Sequence, residues 1–141
     1  MRWAWIILRT LWTLPTTALG LLVGGVCWPL GARWRVVEGV LECHGGGVTW
    51  LLEHATVLEG GALAITFGDV VLGRSPAALD LCREHEHVHV RQAHRWGPLF
   101  VPAYLLASAV MWLRGRRGYR DNPFEAEAYA VSDARNASIH G

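Results

Sequence analysis

The chain is 141 residues long, the size of one domain, and its net charge of +1 gives no electrostatic basis for binding nucleic acid. Hydrophobic residues make up 52% of it and charged residues 18%, which excludes a disordered chain and is unusual for a freely soluble one. The three cysteines form no closely spaced framework, so we expect no disulfide scaffold.

The first predicted element is an apolar segment without a charged residue, over residues 10–32. It is longer than the roughly 20 apolar residues that span a bilayer, and a tryptophan lies near each end, where interfacial aromatics belong. A cleaved secretory signal is the alternative, with a small-x-small site at Ala18-Leu19-Gly20, but the apolar run continues past it. We predict a retained membrane anchor over residues 1–33, with arginines on both sides leaving its orientation open.

Residues 34–74 predict a small sheet. Short apolar runs at 36–41, 48–52 and 62–66 are separated by glycine-containing turns, and Gly68-Asp69 between two apolar runs is a strong hairpin signal. We expect three or four short antiparallel strands, whose register the frequent glycines leave open.

The central motif is H-E-x-x-H, formed by His85, Glu86 and His89 within a predicted helix over 76–96. A Ser-Pro pair is typical of a helix start and a Gly-Pro pair of a helix end. Positions i and i+4 share a helix face, so the two imidazoles can bind one zinc ion, and the glutamate between them can take a proton from a water there. The alternatives are a chance match in a histidine-rich helix and buried core histidines.

Two more helices are predicted. Residues 96–113 are free of charge and fit either a buried core helix or a second membrane segment, and the four arginines between 114 and 120 fit either contact with anionic lipid or a solvated flank. The last helix starts at Asn122-Pro123 and places Glu125 at its third position, where a capping box would give it a purely structural role.

With the run from Glu125 to Tyr129, which fits E-x-x-A-x, the motif helix resembles the gluzincin metallopeptidases. The intervening apolar helix resembles that of small membrane-bound prenyl-protease-like peptidases, and Gln92 recurs in uncharacterised bacterial H-E-x-x-H proteins. The resemblance covers about residues 78–131. It implies that His85, His89 and Glu125 bind Zn²⁺ and that Glu86 is the general base. Glu127 is the fallback third ligand: it is two positions from Glu125 and so points to another side of the helix, which means that only one of the two can face the metal.

One position departs from that family. Tyr129 stands where the family often has an acid that supports a ligand histidine, so we expect the support to come from elsewhere. Tyr129, Gln92 and Glu127 are the candidates for this supporting layer. Tyr129 fits two roles, either a hydrogen-bond donor to a reacting oxygen or an aromatic packed on the apolar helix.

The proposed ligands constrain the topology. If residues 96–113 crossed the bilayer once, His89 and Glu125 would lie on opposite sides and could not share a metal. We therefore expect this helix to be buried or re-entrant on one side of the membrane.

Together these features predict an α+β fold: a small antiparallel sheet packed on a zincin-like active-site helix, an N-terminal membrane helix and two further C-terminal helices. The predicted division is a membrane anchor over 1–33 and a minimal metallopeptidase domain over 34–141. The expected function is a zinc-dependent peptidase of the bacterial inner membrane, in contact with lipid and with its catalytic domain on the cytoplasmic side. Its substrate would be a peptide or protein, aligned by an edge strand within 62–72.

Two functions without catalysis are the alternatives. One is a membrane protein with a structural zinc site, closed by a fourth ligand such as Cys82 or His87. The other is an adaptor whose peptidase-like site is inactive.

Overall fold

The computed structural model of the chain describes residues 1–56, 58 and 60–140, so residue 141, where the predicted second domain ends, lies outside them. The described residues form an α+β fold, as predicted. Its helices are α1 (Arg2–Cys27), α2 (Gly47–His54), α3 (Pro76–Trp96), α4 (Phe100–Leu113) and α5 (Pro123–His140), and its strands are β1 (Arg33–Val37), β2 (Val40–His44), β3 (Ala64–Phe67) and β4 (Val70–Gly73).

The sheet has the order β1-β2-β4-β3 and is mixed. The pairs β1–β2 and β3–β4 are antiparallel, and the second is the hairpin predicted at Gly68-Asp69. The central pair β2–β4 is parallel, so the prediction of a purely antiparallel sheet was wrong. The reason is the connection between the hairpins: it carries a helix, and such a crossover lets β4 return beside β2 in the same direction.

That helix is α2, which occupies residues 48–52 where a strand was predicted. Its buried residues, Val48 and Leu52, are four positions apart and so share one helix face. A short apolar run does not distinguish a strand from a buried helix by periodicity, which is why the prediction failed here.

Both faces of the sheet are covered. On one face, Cys27 of α1 and Val48 and Leu52 of α2 share a core cluster with Val70 and Leu72 of the sheet. On the other face, Leu79 and Val90 of α3 pack with Val40 and Val71. The helix that carries the H-E-x-x-H motif therefore rests directly on the sheet.

Helix α1 attaches to the sheet through a face of small residues spaced three or four apart: Thr13, Thr16, Gly20, Gly24 and Cys27. A Cβ on Gly24 would lie 2.4 Å from the Trp34 ring, so only glycine allows this approach. The large apolar side chains of α1 point outward. Helix α1 packs against the sheet that follows it in the chain. The domain boundary predicted at residue 33 stays a prediction.

Two segments, Arg2–Leu30 and Pro76–Leu113, are long and apolar enough to cross a membrane. The core helix of a soluble protein and a signal sequence can be equally long and apolar.

The chain turns back after the end of α4, before α5 begins. Its 14 residues span about 21 Å, less than the roughly 30 Å hydrocarbon core of a bilayer. The side-chain amide of Asn122 donates to the Tyr104 carbonyl at 3.0 Å and to Ser108 Oγ at 2.8 Å. The start of α5 therefore lies beside the middle of α4, on the same side as α3.

Candidate metal centre

The three predicted ligands come together between α3 and α5. Glu125 Oε2 lies 2.9 Å from His85 Nε2, Glu125 Oε1 lies 3.3 Å from His89 Nε2, and the two Nε2 atoms are 3.2 Å apart. The potential ligand atoms of this group all lie within 4.8 Å of one another, so it could hold a metal ion. Two imidazole nitrogens and one carboxylate oxygen form a donor set that suits zinc.

The two histidines converge because they are one turn apart on α3, and Glu125 joins them because the start of α5 is held in place. Asn122 Oδ1 accepts from the Phe124 N–H at 2.9 Å, which is the predicted N-cap. Glu125 does not complete a capping box. Its carboxylate faces the histidines, and the Asn122 N–H donates instead to the Tyr119 carbonyl at 3.1 Å.

Gln92 determines which nitrogen of His89 faces the centre. Its Nε2 donates to the Phe124 carbonyl at 3.0 Å and to Glu127 Oε2 at 2.9 Å, so its Oε1 must face His89. His89 Nδ1 therefore donates to Oε1 at 2.8 Å, and in the neutral imidazole Nε2 presents its lone pair to the ligand group. Gln92 and Glu127 are thus connected to His89 by hydrogen bonds, and their role as a supporting layer stays a prediction.

Tyr129 contacts the site by packing. Its ring meets the His85 ring in an edge-to-face arrangement, with centroids 4.5 Å apart, and the Arg120 guanidinium lies over the Tyr129 ring, 4.6 Å from its centroid. The sequence analysis offered packing on the apolar helix, whereas this contact is with His85 of the motif helix α3, and it restricts the orientation of the His85 ring.

Tyr104 is a site residue that the sequence analysis missed. Its hydroxyl donates to Glu125 Oε1 at 2.6 Å. The available signal was a polar stripe in an otherwise apolar helix: Tyr104 and Ser108 are four residues apart, and both face the start of α5.

Glu86 lies beside the ligand group and is only 6% exposed. Thr66 of β3, also missed from the sequence, donates its hydroxyl to Glu86 Oε2 at 2.7 Å. Burial raises the pKa of Glu86, against the opposing effects of His89 and of the Thr66 hydrogen bond. A raised pKa suits a carboxylate that must accept and return a proton.

The ligand group is polarised into an ion pair. Burial alone would raise the pKa of Glu125, but hydrogen bonds from His85, His89 and Tyr104 lower it to about 2. Burial alone would lower the pKa of His89, but its bond to Glu125 and the nearby carboxylates raise it to about 9. A metal ion binding here would therefore have to displace a proton from His89.

A cleft of about 890 Å³ opens above the site, between β3 and α4, and we call it the β3–α4 cleft. Glu86, His89 and Glu125 lie in its wall, together with Thr66 and Tyr104. The ligand group is thus open to a bound molecule on one side.

Neither proposed fourth ligand joins the group within the described part of the chain. Burial and the charge of Glu86 raise the pKa of the Cys82 thiol to about 11, so it is neutral at pH 7. His87 Nδ1 lies 3.4 Å from Glu38 Oε2, at the turn between β1 and β2.

Comparison of the chain with protein-family models, with curated proteins and with solved structures gave no match. The fold and the site define the class of protein: an α+β protein in which two histidines of a long helix and a glutamate of the last helix form a group that could hold a metal ion.

Proposed function

We propose that this chain is a membrane-associated, zinc-dependent peptidase of the gluzincin kind. The observation that carries the proposal is the convergence of His85, His89 and Glu125 at a cleft whose wall also contains Glu86. Catalytic zinc sites typically have three protein ligands and leave one position for water or substrate, whereas structural sites have four protein ligands. Three converging ligands, of which His89 and Glu125 line the cleft, favour the catalytic kind.

The residues around the group have distinct roles in this proposal. Zinc, when bound, acts as a Lewis acid and lowers the pKa of a water. The carboxylate of Glu86, held by Thr66, takes a proton from the attacking water and delivers it to the leaving amine. Gln92 and Tyr104 hold His89 and Glu125 in the orientation that binding requires.

The position of strand β3 favours a peptide as the substrate. It is at one end of the strand order, and it lines the β3–α4 cleft beside Glu86. An extended peptide can add to such an edge through main-chain hydrogen bonds, as predicted for a strand within 62–72.

The outer surface supports membrane association. Large apolar side chains are exposed along α1, among them Trp5, Leu8 and Leu22, and Trp112 is exposed near the end of α4. Exposed arginines follow α4 and can contact anionic headgroups. Alkaline carbonate extraction tests this: the protein should remain in the membrane pellet, and a shortened chain in the soluble fraction would indicate signal cleavage instead. The bacterial inner membrane and a cytoplasmic site remain predictions.

The function is tested by Glu86→Gln in detergent-purified protein, against peptide and protein substrates. We expect zinc content and thermal stability to be retained, because Glu86 is outside the ligand group, and cleavage to fall by about 10²- to 10⁴-fold. Glu84→Gln is the matched control, because Glu84 is on the same helix but pairs with Arg135 at 2.8 Å. It should cleave like the wild type.

The other outcomes separate the alternatives. Loss of zinc in Glu86→Gln would make Glu86 a ligand and contradict the geometry. Stoichiometric zinc without hydrolysis, in both wild type and variant, would favour the structural zinc protein or the inactive adaptor.

A further inference from the structure

Among the residues that the structure describes, the β3–α4 cleft carries charge at its metal end. The acidic and basic side chains of this described lining are Glu86, His89 and Glu125. Most of the other described lining residues are apolar and belong to β3, to α4 and to the segment that follows α2, with uncharged polar side chains such as Thr56, Ser108 and Tyr119 among them. The apolar residues of these walls include Leu58, Ile65, Phe67, Val101, Leu105 and Trp112.

Two neighbouring stripes of α4 have different tasks. Phe100, Tyr104 and Ser108 form one, and Tyr104 and Ser108 hydrogen-bond Glu125 and Asn122. The other stripe contains Leu105, which lines the cleft although it is 61% exposed. An exposed leucine in a cleft wall offers apolar surface to a molecule that enters the cleft.

We propose that the β3–α4 cleft selects extended peptide segments with apolar side chains, and that Leu105 is a specificity-determining residue. This inference rests on the proposed peptidase function and names its substrate class. Main-chain bonds to β3 would be independent of sequence, so the walls must decide which side chains are accepted. A charged side chain entering there would lose water without gaining an oppositely charged partner from the described apolar walls, whereas an apolar one would be buried favourably.

The test compares two fluorogenic peptides in the same detergent. One is composed of Leu, Val, Ala and Phe, and the other carries Asp at alternate positions of the same sequence. The variants are Leu105→Asp and, as matched control, Leu106→Asp. Leu106 is the neighbouring residue of the same type with similar exposure, 66%, and it is not in the cleft wall.

We expect the wild type to prefer the apolar peptide, with kcat/KM at least about tenfold higher than for the Asp-containing one. Leu105→Asp should lower kcat/KM for the apolar peptide by at least about tenfold, and Leu106→Asp should change it by less than about twofold. Leu105→Arg should raise the ratio of Asp-peptide to apolar-peptide cleavage, which a merely unfolded cleft would not do.

Equal cleavage of both peptides, or equal effects of Leu105→Asp and Leu106→Asp, would overturn the inference and leave the peptidase function intact. If the wild type cleaves neither peptide, the proposed function fails, and fluorescence anisotropy of the dye-labelled peptides then decides the inference. Selective binding of the apolar peptide that is lost in Leu105→Asp alone supports it. Absent or unselective binding overturns it.

Discussion

Replacing Gln92 by leucine should weaken zinc binding without touching a ligand. Gln92 is buried, and its Oε1 accepts from His89 Nδ1 at 2.8 Å. Leucine has a similar size but no acceptor, so the imidazole loses the partner that fixes its orientation. Partners of this kind are typically worth about 10- to 100-fold in metal affinity, about 1.4 to 2.7 kcal/mol. The substitution also leaves the His89 Nδ1–H buried without its acceptor, which should lower the free energy of unfolding of the metal-free protein by about 1 to 3 kcal/mol.

The assay is competition for zinc between metal-free protein and a chromophoric chelator, with urea unfolding of the metal-free protein alongside. Glu127→Ala is the graded control, because it removes one partner of the Gln92 amide and leaves the bonds to His89 and to the Phe124 carbonyl. Its loss of affinity should be smaller than that of Gln92→Leu. Wild-type zinc affinity in a folded Gln92→Leu protein would refute the role of this bond.

Three further predictions concern the rest of the site and the fold. Thr66→Val should lower kcat/KM by about 10- to 100-fold with unchanged zinc content, because the charged Glu86 loses its hydrogen bond, and Thr66→Ser should restore it. Gly24→Ala should destabilise the protein by about 1 to 3 kcal/mol in thermal or urea unfolding, since its Cβ would overlap an indole, whereas Gly25→Ala, with nothing within 4 Å, should be neutral or stabilising. Because the pKa of His89 is about 9 without metal, zinc binding near pH 7 should release about one proton. The apparent zinc affinity should therefore rise by about tenfold per pH unit up to that pKa. Calorimetry in buffers of different ionisation enthalpy measures the released proton, and its absence would contradict this prediction.

The parts of the site that the sequence predicts are those specified by local spacing. His85 and His89 are one helical turn apart, and the cap at Ser75, whose Oγ accepts from the Ala78 N–H at 3.1 Å, sets the start of their helix. Glu125 was added through a family resemblance, and the structure places its carboxylate with the histidines.

The missed partners are contacts between distant parts of the chain. Thr66 reaches Glu86 from 20 residues away, and Tyr104 reaches Glu125 from 21. Neither residue belongs to a motif with a fixed spacing, so only the tertiary packing of β3 and α4 on α3 reveals them.

The fold shows the same division between local and tertiary information. The β3–β4 hairpin follows from turn chemistry at Gly68-Asp69 and was predicted. The parallel pairing of β2 with β4 depends on the path of the chain through α2, and the pattern of apolar residues within the strands does not predict that path. Gly20 and Gly24 of α1 permit its contact with the sheet, and an apolar run in the sequence does not reveal this tertiary contact.

The most direct test of the central claim is zinc-edge X-ray absorption of the purified protein. We expect stoichiometric zinc with only nitrogen and oxygen neighbours near about 2.0 to 2.2 Å, from two imidazoles, one carboxylate and a non-protein ligand. The signal should disappear in a His85→Ala, His89→Ala double variant. A sulfur neighbour at about 2.3 Å would place Cys82 or another cysteine in the site as a fourth protein ligand, and zinc that persists after both substitutions would contradict the site altogether.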